Sequence, residues 1–352
     1  MPKINLGIIF GGISTEHDVS VASGQAVVEH INREKYNVFP TYIDKDGKWY
    51  EYKNLETESE NEVCIEVYEK YEIKNIVKYL RKLDMVFPVL HGKYGEDGSI
   101  QGMLEMFNIP YVGNKVLASS IAMDKVYTKF IIEKVGIKQA KYIYIKYENG
   151  KYKYVENDFE EQEIELNKFS KNVKKELRFP MFVKPANYGS SVGITKAKNM
   201  KQLIEAIKLA GKLDKKILIE ENIVGKEIEC AVIGTKEIKA SCAGQIIPAD
   251  DFYTYDAKYK NNKSKLVIPA NIDCEEEVKE IAIKAFNAID GHGLARVDFF
   301  VTANNEIYLN EINTMPGFTT SSMFPKLWEA SGISFTEILD IIIEDSINIY
   351  TQ

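Results

Sequence analysis

Arg296, Asp298, Glu311 and Asn313 are the residues whose types and spacing point most directly to chemistry. They fall in or beside two runs rich in β-branched and aromatic residues, 294–301 and 306–312, separated by Thr302-Ala303-Asn304-Asn305, a turn composition. An antiparallel hairpin is expected. Positions two apart in a strand share a face, so Arg296 stands beside Asp298 and Glu311 beside Asn313, while Val297, Phe299 and Ile312 face a core. Two carboxylates and an amide oxygen are hard donors of the kind magnesium takes together with water and phosphate oxygens. A guanidinium next to them suits developing negative charge. The same residues also fit the solvent face of an ordinary half-buried hairpin, and the motif alone leaves both readings open.

Three further loops put polar groups at strand ends, where open α/β sheets bind ligands. Gly11-Gly12-Ile13-Ser14-Thr15-Glu16 follows a first strand and precedes a helix, but it is not G-x-G-x-x-G, and its glycines fit a tight structural turn equally well. Glu16 suits a cationic group better than a phosphate, which a carboxylate would repel. In residues 90–98, LHGKYGEDG, His91 leads a loop whose three glycines let the backbone approach a ligand. Residues 184–193, KPANYGSSVG, join Lys184 to a Gly-Ser-Ser-x-Gly turn suited to covering phosphates, without the residue order of a P-loop. Glu220 and Glu221 end a strand and Glu227 follows Gly225; such carboxylates accept from ribose hydroxyls or an adenine amino group, or are simply solvated.

The elements that must position these groups fall into three blocks, 1–118, 119–222 and 223–352. Strands at 4–10, 38–43 and 85–89 with an amphipathic helix at 19–31 indicate a parallel α/β sheet in the first. The second opens with a helix at 125–135 and continues through a hairpin over 143–154, turned at Glu148-Asn149-Gly150. A charged stretch, 156–176, is expected there as one solvated helix. The third holds the polar hairpin and a closing helix at 335–348.

Composition excludes several functions. With 45 basic against 52 acidic residues, a net charge of −7 and no basic run, nucleic acid is not an expected partner. No apolar segment approaches a membrane span, so no membrane insertion is expected, and the short apolar run at the N-terminus ends in glycines and reads as a strand, not a secretory signal. Cys64, Cys230, Cys242 and Cys274 lack C-x-x-C spacing, which indicates free thiols in a reducing cytoplasm.

Read in order, FGGISTEHDVS (10–20), HGKYGEDG (91–98), MDK (123–125), KPANYGSSVG (184–193), FYTYDAKY (252–259), ARVD (295–298) and EINTMPG (311–317) resemble the D-alanine–D-alanine ligases over nearly the whole chain. These are bacterial peptidoglycan-precursor enzymes of the ATP-grasp class. The resemblance implies an α/β fold, α+β in part: an N-terminal open parallel α/β domain (1–118), then a central (119–222) and a C-terminal (223–352) ATP-grasp subdomain. It implies ATP held by Lys125, Lys184, Glu220, Glu227, Phe252 and Lys258, and two magnesium ions, with manganese as a substitute, on Asp298, Glu311 and Asn313. Glu16 would receive the first D-alanine's ammonium through a network with Ser190 and Tyr259, and His91 would lie near its carboxylate. Arg296 and the backbone of Gly317 would stabilise the oxyanion, Ser322 and Met323 would wall the second D-alanine, and residues 249–265 would form the closing loop. A bacterial cytoplasmic homodimer is the expected assembly. A D-alanine–D-serine ligase should instead show a polar residue at 323, and a non-catalytic ATP-binding module should have lost one of the four hairpin residues, all of which are present.

Overall fold

The computed structural model describes residues 2–52, 69–156, 158–248 and 265–350. Three sheets organise them. In the first, β1 (Ile4–Gly11) lies between β2 (Tyr36–Ile43) and β5 (Met85–Pro88), both parallel to it, and β3 (Trp49–Tyr52) and β4 (Lys70–Glu72) extend the β2 edge antiparallel, giving the order β4-β3-β2-β1-β5. The parallel centre was expected; the antiparallel edge is an addition. Helices α1 (His17–His30), α2 (Ile76–Leu80) and α3 (Ser99–Met106) accompany this sheet. α4 (Val116–Met123) and α5 (Lys125–Lys134) follow, the latter capped by Asp124, whose carboxylate accepts from the Val126 and Tyr127 amides.

The second sheet has the order β10-β9-β11-β6-β7-β8, formed by β6 (Tyr142–Glu148), β7 (Lys151–Val155), β8 (Glu161–Ile164), β9 (Met181–Pro185), β10 (Thr195–Ala197) and β11 (Lys216–Glu221). The expected turn at Asn149-Gly150 is there, both residues with positive φ (52° and 77°), as a two-residue hairpin requires. The charged stretch 156–176 corrects an expectation: it holds a strand before its helix. β8 pairs with β7, and lysines on β6 and β7 meet glutamates on β8: Lys146 and Lys153 reach Glu161, and Lys151 reaches Glu163, at 2.6–2.7 Å. Cross-strand charge pairing of this kind favours an edge strand where composition alone suggested a helix. α6 (Leu166–Glu176) and α7 (Met200–Leu213) close a core containing Phe169, Val173, Leu203, Ile207 and Ile219.

The third sheet, β14-β13-β12-β15-β16, comprises β12 (Lys226–Gly234), β13 (Lys239–Ile247), β14 (Lys265–Val267), β15 (Gly293–Val301) and β16 (Ile307–Asn313), all antiparallel. One core joins it to α8 (Glu275–Ala288), α4 and α5. A second, containing Phe10, Phe318, Phe324, Leu294 and Ile338, joins it to the first sheet through α9 (Met323–Ala330) and α10 (Phe335–Tyr350). Among the described residues no helix is long and apolar enough to cross a membrane.

Candidate active site

β15 and β16 place the hairpin residues as alternation predicted. Asp298 opposes Glu311 and Arg296 opposes Asn313 across the strands, while Val297, Phe299 and Ile312 are buried behind them. A β-bulge lies between Asp298 and Phe299, where the register jumps from Glu311 to Leu309 and leaves Asn310 as the extra residue. Bulges re-aim side chains; here Asn310 and Glu311, adjacent in sequence, both line the same cavity.

On the other side of β15, Glu229 of β12 stands opposite Asp298. Three carboxylates, Glu229, Asp298 and Glu311, therefore lie in a row across three strands. Arg296 compensates them. Its guanidinium donates to both Asp298 oxygens at 2.7 Å and pairs with Glu229 at 2.9 Å, and the Asn313 amide donates to Asp298 at 3.0 Å. Burial opposes the guanidinium's charge, but Asp298, Glu229 and Glu311 more than offset this and hold it well above its ordinary value.

Two cavities meet at this sheet. The larger, about 410 Å³, lies between the second and third sheets and is lined by Lys184, Glu220, Glu227, Asp298 and Asn310. The smaller, about 70 Å³, is lined by Glu16, His91, Glu96, Arg296, Asn313 and Gly317. Lys125, Gly189, Ser190 and Glu311 line both.

Lys125 opens α5 and reaches into this shared wall, donating to the Tyr188 carbonyl at 2.9 Å and lying 3.5 Å from a Glu311 oxygen. Lys184, on β9, pairs with Glu220 and donates to Asn310 at 3.2 Å. The other Glu220 oxygen is 2.9 Å from Lys129, so both oxygens of this carboxylate, expected among the groups that hold ATP, are held by lysines. Burial works against this carboxylate's charge, yet the two ammonium groups pull it down to about 2.

Glu16 sits at the start of α1, buried, and accepts from the Ser190 hydroxyl. Ser190 and Ser191 both adopt positive φ, 50° and 59°, the left-handed region that turns this loop back toward Glu16. Position 92 favours glycine: its φ is +71°, and a Cβ there would come within 2.3 Å of a Glu16 oxygen and displace that carboxylate.

His91 is buried with both ring nitrogens engaged: Nδ1 lies 2.9 Å from the Met315 carbonyl and Nε2 2.9 Å from Ser23 Oγ. A carbonyl only accepts, so Nδ1 carries the proton and Ser23 donates to Nε2. Burial lowers the imidazole pKa, consistent with this neutral form. Ser23 also accepts from the Phe318 amide, so this network joins α1 to the 315–318 segment. Glu96 spans the same gap, accepting from the Gly92 amide at 2.6 Å and the Met315 amide at 3.2 Å. Burial, aided by Glu16, pushes its carboxyl up to about 8.

Ser322 lies close to Gly317: a Cβ on that glycine would come within 2.8 Å of the Ser322 hydroxyl. Met323 turns into the core against Gly244 and does not line either cavity. Phe252, Lys258 and Tyr259 fall outside the described residues.

Residues 5–114 match the family profile described as D-ala D-ala ligase N-terminus, and residues 131–344 match D-ala D-ala ligase C-terminus. The chain belongs to the D-alanine–D-alanine ligase family. Among its relatives, the D-alanine–D-alanine ligase B of Clostridium tetani is 46% identical, covering 99% of this chain and 95% of that protein. Among solved structures, the VanG D-Ala:D-Ser ligase from Enterococcus faecalis is 35% identical with a TM-score of 0.80, covering 98% of this chain and all of the other. The D-alanine–D-alanine ligase from Bacillus anthracis complexed with ATP is 26% identical with a TM-score of 0.74, covering 99% of both chains.

Four polar residues at this site were not singled out from the sequence: Glu96, Lys129, Glu229 and Asn310. A signal existed for Glu229, which shares its strand face with Glu227 in KEIECAVIG. Lys129 had one as well, one helical turn after Lys125. For Asn310 there was none, since strict alternation does not reveal a bulge.

Proposed function

We propose that this chain joins two D-alanines to D-alanyl-D-alanine with hydrolysis of ATP to ADP, in peptidoglycan-precursor synthesis. One observation carries the reading: a nucleotide-sized cavity and a smaller polar one share a wall made of Lys125, Glu311, Gly189 and Ser190. A phosphate held in the first can therefore face a carboxylate held in the second. Volumes of several hundred Å³ are usual for such ligand sites.

In this reading Glu16 receives the ammonium of the first D-alanine and Lys125 and Lys184 hold the phosphates. The D-alanine carboxylate attacks the γ-phosphorus of ATP and expels ADP, giving an acyl phosphate. The neutral amine of the second D-alanine then attacks the acyl carbon. The tetrahedral oxyanion rests on the Arg296 guanidinium and the Gly317 amide, and collapse expels phosphate. Asp298, Glu311 and Asn313 offer the oxygen donors that suit magnesium, which when bound neutralises phosphate oxygens. Asp298 already carries Arg296 and Asn313 on its oxygens, so it would share them with the ion.

D-Alanine as second substrate rests on the family resemblance alone, because Met323, expected beside that substrate, is buried against Gly244 and lines neither cavity. The family resemblance also supports division near residues 118 and 222, a homodimer, and a bacterial cytoplasmic location. Phosphate release measured with D-alanine, D-serine and D-lactate offered separately tests the assignment. ATP-dependent dipeptide from D-alanine alone is expected, and its absence overturns the reading.

A further inference from the structure

Lys129 lies behind the wall of the larger cavity. It is buried, does not line the cavity, and its ammonium contacts Glu220 at 2.9 Å and stands 5.0 Å from the Tyr142 ring centroid. Glu220 in turn holds Lys184, which does face the cavity. The buried triad thus has two cations and one anion. Glu133, which also acts on Lys129, is exposed on α5.

This imbalance matters for Lys184. With Glu220 as its only charged partner, the two would form a neutral buried pair with little attraction left for a phosphate. A second ammonium on the far oxygen restores a net positive charge to the group, and the nearest place for a compensating anion is the cavity. We propose that Lys129 is a positioning residue for the nucleotide: by taking up the charge of Glu220 from behind, it leaves the charge of Lys184 free for the phosphates. Burial disfavours the Lys129 ammonium, but Glu220 is anionic across neutral pH and supports it at hydrogen-bond distance. The inference rests on the proposed use of ATP.

Nucleotide binding without D-alanine tests it, using calorimetric titration of ATP, ADP and adenosine with excess magnesium. Lys129→Met should weaken ATP and ADP by about tenfold to a hundredfold, the effect of one elementary charge over several ångströms of protein interior. Adenosine, which has no phosphate, should bind as it does to the wild type. Lys129→Arg should retain most of the ATP affinity. The decisive variant is Lys129→Met with Glu220→Gln, which removes one charge of each sign and should regain affinity for ATP relative to Lys129→Met alone. Equal losses for ATP and adenosine, no loss for ATP, or a double variant that binds adenosine like the wild type yet recovers no ATP affinity would each overturn the proposal. If Lys129→Met does not fold, Lys129→Gln takes its place in the same comparisons. Failure of the wild type to bind ATP would instead sink the functional reading itself.

Discussion

Replacing Arg296 with Met leaves a hydrophobic stem of similar length but removes the guanidinium that pairs with Asp298 and Glu229. Both carboxylates are buried, at 8% and 7% relative exposure, and Glu311 lies in the same row. Removing one partner of such a pair strands the other's charge and costs about 3–5 kcal/mol. At about 2 °C per kcal/mol for a chain of this size, the melting temperature should fall by roughly 6–10 °C. Turnover should drop on the order of a hundredfold to a thousandfold as the oxyanion donor is lost, with the affinity for ATP largely kept. A second variant separates charge from packing. Arg296→Met combined with Asp298→Asn removes one of the two stranded charges and should recover several degrees of the melting temperature while remaining inactive. Thermal melts read by intrinsic fluorescence, alongside phosphate release, measure both effects. A double variant no more stable than Arg296→Met, or an Arg296→Met protein that melts like the wild type, would refute the view that Arg296 compensates this carboxylate row.

Two other perturbations test neighbouring parts of the site. Glu311→Gln should raise the magnesium concentration needed for half-maximal ATP binding by roughly tenfold or more; an unmoved midpoint would remove Glu311 from the proposed metal site. Glu96 is raised from an ordinary 4.5 to about 8, so between those values the folded state binds more protons than the unfolded chain, and stability should fall as pH rises. Glu96→Gln, neutral throughout, should flatten that slope in melts between about pH 5 and 8, and parallel slopes for the two proteins would argue against a shifted Glu96.

The polar hairpin was legible because the period of a strand is two and its core-facing residues are unmistakably apolar, so Asp298 and Glu311 could be placed before any contact was known. The Glu16 and Lys184 loops were legible for a related reason: a glycine-rich segment at a strand end signals close backbone approach. Sequence could not reveal charge balance across strands distant in the chain. Glu229 acquires its meaning from lying opposite Asp298, some seventy residues later in the sequence, and Lys129 from sharing Glu220 with Lys184. Edge strand β8 was hidden because its stabilisation comes from lysines on neighbouring strands, not from its own propensity. Met323 shows the opposite limit, since a motif position says little about which way a side chain turns when the helix that carries it docks on a core.

The bulge at Asn310 bears on how such a chain can change over time. Counting from Leu309 by twos would send Glu311 and Asn313 into the apolar interior; the extra residue shifts the phase and brings both to the cavity. A lineage that deleted this single residue would gain a more regular ladder and lose its ligase. Extra residues in the 302–305 turn, by contrast, would leave the phase of both strands untouched. The hairpin therefore divides into a tip where length can drift and a base where a change of one residue is decisive, with the boundary set by backbone phase and not by side-chain chemistry.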